Sequence, residues 1–460
     1  MNLFAMLSQR AVRHQPLRVA LIGAGKFGSM FLSQARRTPG LHLVALVDLA
    51  PQRARESMLR TGWVSDEFNA PSLDSARASG RTFVTDDAPA AIASDAIEIV
   101  IDATGSPAAG IRHALACCAH GKHIVMVNVE ADALAGPLLA RRAAQAGIVY
   151  SLAYGDQPAL ICEMVDWARA AGFEVIAAGK GTKYLPTYHE STPDTVWGHY
   201  GFTPEMVASG DFNAQMFNSF LDGTKSAIEM AAVANATGLT PAAGGLEFPP
   251  CGVDDLPRVL RPRSEGGILA HRGQVEVVSS LQRGGQPVIR DLRWGVYVSF
   301  AADSDYVRRC FSEYGLVTDD SGNYSAMYKP YHLIGLELGI SVASVGLRRE
   351  ATGCATDFHG DVAAVAKRDL KAGDTLDGEG GYTVWGKLMP ARDSLACGAL
   401  PIGLAHGVRL TRAVAKGAVI GWQDVATIDS EAALVRHQME AEFAASWGIR
   451  HLRALGAHPS

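Results

Sequence analysis

The chain has almost no charge imbalance, few aromatic residues and no long apolar run, and each shortage removes a class of function. Lys and Arg number 42 against 47 Asp and Glu, a formal net charge of −5, so there is no whole-protein footprint for nucleic acid or an anionic membrane surface. Any anionic substrate must be held by a few local cations. No apolar stretch approaches the roughly 20 residues that span a bilayer. The cysteines, at 117, 118, 162, 251, 310, 354 and 397, form no C-x-x-C pair and no Cys/His metal spacing. They read as buried thiols in a reducing compartment, and a cytoplasmic location is expected. Arg10, Arg13 and Arg18 precede a short apolar run that leads straight into a glycine loop, which is not the pattern of a secretory signal.

Glycine is what the chain has in excess, 48 of 460 residues. Without a G-X-Y period, that excess points to tight turns and close backbone approaches, as in α/β nucleotide-binding folds. The length exceeds one compact domain, so two or three are expected.

Leu17–Ile22 is a near-continuous aliphatic run, as in a parallel strand covered on both faces. Further strands are expected at 41–47, 97–101, 123–127 and 148–152, with helices at 107–119, 131–146 and 157–171. This alternation predicts an α/β fold with an N-terminal Rossmann dinucleotide-binding domain over 1–155. From 156 to 355 a central α+β substrate domain is expected, with a strand at 174–178 and a long aromatic loop over 179–204. A helix over 213–237, strands near 274–280 and 291–301, and helices at 303–313 and 328–346 complete it. Short strands between glycine turns then predict an all-β module over 356–428, followed by a terminal helix and tail over 429–460.

Gly23, Ala24, Gly25, Lys26, Phe27 and Gly28 form a G-x-G-x-x-G loop between an aliphatic strand and a helix, answered by Asp48 at the end of the second strand. The glycines permit the turn, the approach of a pyrophosphate and close helix–strand packing, while the helix N-terminus stabilises the anion. Asp48 suits the adenine-ribose hydroxyls of NAD. Arg53 and Arg55, just downstream, suit the 2′-phosphate of NADP, so both cofactors stay open. Thr104 and Gly105, at the end of a buried strand, lie where a nicotinamide ribose would pass. Asn128 and Glu130 end the next strand and point to the same place.

A second constellation comprises Lys180, Lys183, His189 and Glu190 in the long loop, with Asp222 and Lys225 after it. Carbonyl reduction needs a proton donor for the developing alkoxide, which a lysine can supply, and lysines in the glycine-rich run GKGTK can hold a phosphate. Asp222 and Lys225, three apart on the expected helix, share a face there. Arg258, Arg261 and Arg263 form a basic cluster that reads as a loop or interface feature. His271, His332 and His359 read as structural.

The succession IGAGKFG, VDLA, IDATGSP and GKHIVMVNVEAD resembles homoserine dehydrogenases, as does the helix carrying Asp222 and Lys225. Where that family has an Asn-Lys step with a catalytic lysine, this chain has Asn128-Val129-Glu130. The runs MVNVEADALAGPLLA, GKGTKYLPTYHESTPDTVWGHYG and LPIGLAHGVRLTRAVAKGAVI are similar to the deoxyxylulose-phosphate-reductoisomerase-like (DRL) proteins, relatives that bear a C-terminal SAF (β-clip) module. The resemblance covers nearly the whole chain. It implies an NADPH-dependent oxidoreductase (NADH being the alternative) that converts 1-deoxy-D-xylulose 5-phosphate to 2-C-methyl-D-erythritol 4-phosphate, an isoprenoid precursor. It also implies a homodimer built through the central domain. The acidic metal motif of ordinary reductoisomerases is not present, so no divalent metal is carried over. On this reading Lys183 and Lys225 are acid/base or oxyanion groups, Asp222 orients a lysine, Glu130 meets a substrate hydroxyl and Lys180 holds phosphate. The alternatives are a dehydrogenase or oxidoisomerase of a non-phosphorylated sugar acid, a homoserine-dehydrogenase-like enzyme, and a non-enzymatic dinucleotide-responsive binding protein.

Overall fold

The protein was analysed as a computed structural model that describes residues 2–209 and 212–448. The chain divides into two compact units, one of residues 1–163 and 332–356, the other of 164–331 and 357–460.

The first unit is built on six parallel strands: β1 (Leu17–Ile22), β2 (Leu41–Val47), β3 (Phe83–Thr85), β4 (Ile99–Asp102), β5 (His123–Met126) and β6 (Tyr150–Leu152). Their order, β3-β2-β1-β4-β5-β6, is that of a dinucleotide-binding Rossmann sheet. The strands are aliphatic because both faces are covered. Val19, Leu21, Ile99 and Ile101 pack in one core with Phe31 and Leu32 of the helix Lys26–Ala35. Leu338, Val342 and Val345 join the same core from the helix Gly339–Arg348 and the residue before it. That last helix is a correction, since a single helix over 328–346 is expected in the central domain. Residues 324–329 instead form a strand of the second unit, and the helical part lies on the first sheet.

The second unit has a four-stranded sheet, β7 (Glu174–Thr182), β8 (Gln274–Ser279), β9 (Val296–Ala301) and β10 (Tyr324–Lys329), in the order β10-β9-β7-β8. β7 pairs parallel with β8 and antiparallel with β9. The run Gly179-Lys180-Gly181-Thr182, expected to open a loop, is the second half of central strand β7. Its glycines serve packing. A Cβ at Gly179 would stand 1.7 Å from the Glu276 carbonyl oxygen, and one at Gly181 1.9 Å from that of Leu292. The helix expected over 213–237 is two, Ala214–Leu221 and Thr224–Thr237, broken at Gly223, whose φ is +91°. The segment 291–295, expected as strand, is a turn that precedes β9.

The rest of this unit holds β11 (Gly360–Ala366), β12 (Thr375–Asp377), β13 (Val384–Pro390) and β14 (His406–Arg409), paired β11–β13 and β12–β14. Residues 402–404, expected as strand, are a 3-10 turn. The terminal helix Glu431–Ser446 is pinned by Arg436, fully buried, which grips Asp361 of β11 at 2.5 and 3.0 Å and Glu440 at 2.8 Å. The basic cluster is neutralised locally. Arg258 pairs with Asp320, Arg261 with Asp319 and Arg263 with Glu247.

Candidate active site

In the first unit the strand order reverses between β1 and β4, and there a cleft of about 470 Å³ opens. Ile22, Val47, Ala88, Pro89 and Ile92 give it apolar walls, while Asp48, Arg53, Thr104 and Arg112 add polar groups. The glycine loop forms its edge. Gly23 (φ +102°) turns the chain, and a Cβ there would meet the Ala103 carbonyl oxygen at 2.6 Å. Gly25 caps the helix Lys26–Ala35, and a Cβ on it would meet no protein atom within 4 Å. The chain itself therefore does not demand glycine at 25. The open backbone at a helix N-terminus fits a pyrophosphate, and the apolar walls beside it fit an adenine ring.

Asp48 is buried, and three groups share its carboxylate. Oδ2 accepts from the Ala24 N–H at 2.9 Å, and Oδ1 from Ala50 N–H at 2.9 Å and from Arg53 at 3.4 Å. It thus fastens the glycine loop to the end of β2 as well as lining the cleft. Thr104 and Gly105 follow β4, and Thr104 donates to Asp102 at 2.9 Å. Asn128 caps the helix Val129–Gln145, accepting from Ala131 N–H at 3.2 Å, and its amide donates to Ser106 O, Thr104 and Asp102 at 2.7, 3.2 and 3.3 Å. Its side chain therefore ties the ends of β4 and β5 together. Glu130 lies in the first turn of that helix, half-buried. Sequence inspection missed His113, which lines the cleft and bonds the fully buried Asp102 at 2.5 Å.

In the second unit, Lys180 on β7 is buried with its ammonium on Glu229 of the helix Thr224–Thr237. Lys183, one residue past β7, is half-buried and donates to His199 O at 2.5 Å. Its ammonium lies 5.5 Å from the centre of the Tyr200 ring, and the Arg293 guanidinium lies 5.8 Å from the same ring. Burial and the Arg293 charge hold the Lys183 pKa below the usual lysine value. Arg293 is absent from the residues that sequence reading singles out. The signal that could have found it is Gly295 inside an apparent strand, which marks a turn.

Asp222 does not share a helix face with Lys225. It ends the first of the two helices, while Lys225 is the second residue of the next, and the left-handed Gly223 separates them. Asp222 Oδ2 instead accepts from Lys367 Nζ at 2.8 Å, and Oδ1 accepts from Thr224 N–H at 2.9 Å. Lys367 also donates to Ser191 O and Gly381 O at 2.8 and 2.7 Å. His189 lies against this group. Its Nδ1 meets Asp222 O at 2.7 Å, its Nε2 meets the Tyr184 hydroxyl at 2.9 Å, and its ring stacks on Trp385 at 3.8 Å. In the neutral ring Nδ1–H donates to the Asp222 carbonyl and Nε2 accepts from the Tyr184 hydroxyl. Burial lowers the His189 pKa in the same direction. Tyr184 stacks in turn on Phe248, a non-glycine residue at φ +51°. Among the described residues, no group of three or more His, Cys, Asp or Glu is placed to hold a metal ion, and no helix is long and apolar enough to cross a membrane.

Two family profiles match the chain, each over less than half of it. Residues 17–127 match the oxidoreductase family with an NAD-binding Rossmann fold, and residues 155–338 match the catalytic domain of the oxidoreductase DRL. Both profiles are of oxidoreductases. The dinucleotide cleft lies in the first match, and Lys183, His189, Asp222 and Arg293 lie in the second. No curated protein matches the sequence. Solved structures with similarity include GenD2 of gentamicin A biosynthesis in complex with NAD, at 20% identity over 39% of this chain and 48% of that one, TM-score 0.26. A probable dehydrogenase from Thermotoga maritima is similar at 13% identity over 73% of this chain and 90% of that one, TM-score 0.38. The 1-deoxy-D-xylulose 5-phosphate reductoisomerase of Zymomonas mobilis with NADPH is similar at 20% identity over 47% and 57%, TM-score 0.31. The chain thus spans about half the length of GenD2.

Proposed function

We propose that the enzyme reduces the carbonyl of a small phosphorylated ketose, with 1-deoxy-D-xylulose 5-phosphate as the first candidate and reductive isomerisation to 2-C-methyl-D-erythritol 4-phosphate as the reaction. The observation that carries this reading is Lys183, a half-buried ammonium held on a backbone carbonyl and flanked by a second cation, inside the segment similar to the DRL catalytic domain. A bound nicotinamide dinucleotide supplies the hydride. Lys183 supplies the proton that the new alkoxide oxygen needs, and the lowered pKa makes it a better donor than an exposed lysine. Lys225 and Glu130 are assigned to substrate hydroxyls, and Lys180 is assigned to shaping β7 through its bond to Glu229. Arg53 beside Asp48 supports NADPH over NADH, because the Asp48 oxygens are already engaged by Ala24, Ala50 and Arg53. No metal is assigned to the reaction.

The C-terminal strands are assigned to a SAF-like module whose work is to brace the long segment after β7. Lys367 holds Ser191 and Asp222, Trp385 stacks on His189, and Tyr382 donates to Asp194 at 2.9 Å. A homodimer and a cytoplasmic location complete the proposal. The test is a panel of ketose phosphates and sugar acids assayed with NADPH and with NADH. Turnover of a ketose phosphate with NADPH, reduced by about a hundredfold or more in Lys183→Met, is the expected result. Turnover of sugar acids alone, or an unaffected Lys183→Met variant, would overturn it.

A further inference from the structure

Arg293 stands where it does because of backbone packing. The turn 291–295 is closed by Arg293 N–H donating to Asp291 Oδ1 at 2.8 Å and by Gly295 N–H donating to Leu292 O at 2.9 Å. It is pressed onto the end of β7 by Gly181 N–H donating to Gly295 O at 3.0 Å, an approach that no side chain at 181 would permit. Arg293 is thereby carried to the side of Lys183, two residues past Gly181. Both cations are half-buried and face one aromatic ring, that of Tyr200. Among the described residues neither has a carboxylate within ion-pair distance. Four other buried or half-buried cations of this unit, Lys180, Arg261, Lys367 and Arg436, are each paired with a carboxylate. Two neighbouring like charges, partly withdrawn from water and without a counter-ion, are a cost that the bound anion of a ligand offsets.

We propose that Arg293 is a specificity-determining residue whose guanidinium takes the phosphoryl group of the substrate beside Lys183. The planar fork of arginine matches two phosphoryl oxygens at once. The dianion of a phosphate monoester also balances two cations, where a carboxylate balances one. The adjacent Trp294 ring, its centre 4.6 Å from the guanidinium carbon, stacks on Arg293 and limits its rotation. The inference rests on the reading of the enzyme as a ketose-phosphate reductase and adds the group that recognises the phosphate.

The test separates the two. Inorganic phosphate is titrated calorimetrically into the full-length protein, wild type, Arg293→Gln and Arg293→Lys, with no cofactor or substrate present, and steady-state constants are then measured on the ketose phosphate. The expected result is phosphate binding to wild type that Arg293→Gln weakens about tenfold or more, with KM raised by a similar factor, kcat little changed, partial recovery in Arg293→Lys and an unaltered melting temperature. Phosphate binding and KM that are indifferent to Arg293→Gln, in a protein that does reduce ketose phosphates, would overturn the inference and leave the reductase reading standing. Arg293-dependent phosphate binding in a protein that reduces no ketose phosphate would support the site and remove the reading. Binding of short hydroxy acids in preference to phosphate would overturn the phosphoryl assignment.

Discussion

A Cβ at Gly28 would stand 2.1 Å from the Gly23 carbonyl oxygen, whereas one at Gly25 would meet no protein atom within 4 Å. Two glycines of one motif therefore answer to different demands, the fold at 28 and the ligand at 25. Gly28→Ala must push the helix Lys26–Ala35 off β1, at about 1–3 kcal/mol by analogy with overpacked cores, and a lowered urea midpoint checks it. Gly25→Asn, which keeps a good N-cap residue, is expected to leave that midpoint unchanged and to weaken dinucleotide binding about tenfold or more, measured by quenching of intrinsic fluorescence. Equal losses of stability in both variants would remove the distinction. These roles are legible in the sequence because the motif is local, a strand, a turn and a helix within a dozen residues. Arg293 is not legible in that way. Its place beside Lys183 depends on a strand pairing between residues more than a hundred positions apart, and only the glycine at 295 hints at the turn.

At the scale of elements, the group around Asp222 shows how a local pattern misleads. The i,i+3 spacing of Asp222 and Lys225 suggests a pair on one helix, but Gly223 breaks the helix between them, and Asp222 bonds Lys367, 145 positions away. The Lys367 side chain is 2% exposed, and its three bonds hold the end of one helix, the segment at Ser191 and the loop at Gly381 together. Replacing it by methionine leaves Asp222 as a buried charge without its partner, a change that costs about 3–5 kcal/mol in comparable pairs. Lys367→Met is therefore expected to lower the unfolding midpoint strongly, and Lys367→Met with Asp222→Asn to recover part of the loss. It should also expose the segment 183–204, read as faster amide exchange at Tyr188 and Val196, both buried in the native protein. Normal exchange there would show that the C-terminal strands do not brace it. Five strands of the first sheet, by contrast, are readable from their aliphatic runs, whereas the three-residue β3 and the register, which shifts between Val19 and Ala20, are not.

Over the whole molecule, each unit buries, among the described residues, one carboxyl whose neutral form the native state favours. In the first, Asp132 is fully buried beside Gly136. Its Oδ1 accepts from Tyr150 at 2.9 Å, its Oδ2 has no partner, and burial pushes its pKa up to about 7. In the second, Glu276 is fully buried on β8 and is likewise raised to about 7 by burial, against the opposing backbone N–H bonds of Val277, Phe248 and Glu247. An acid whose native pKa lies above its unfolded value keeps its proton longer in the folded state. Its contribution is therefore complete below about pH 4 and is lost as the pH rises through about 7, at up to about 1.4 kcal/mol per pH unit for each group. The lowered carboxyls of Asp319 and Glu440 act in the opposite sense, contributing above about pH 4 and losing that contribution as the pH falls through their native values. Between pH 5 and pH 8 the two raised carboxyls therefore lower stability, the lowered imidazoles of His42, His123, His189 and His199 act in the opposite sense, and the carboxyl linkage is read from the difference between wild type and variant. Asp132→Asn keeps the acceptor for Tyr150 and removes the titration, so its stability relative to wild type should rise by more than about 1 kcal/mol between pH 5 and pH 8. Urea unfolding of wild type, Asp132→Asn and Glu276→Gln at the two pH values measures it. Parallel pH profiles for all three proteins would mean that neither carboxyl carries the linkage.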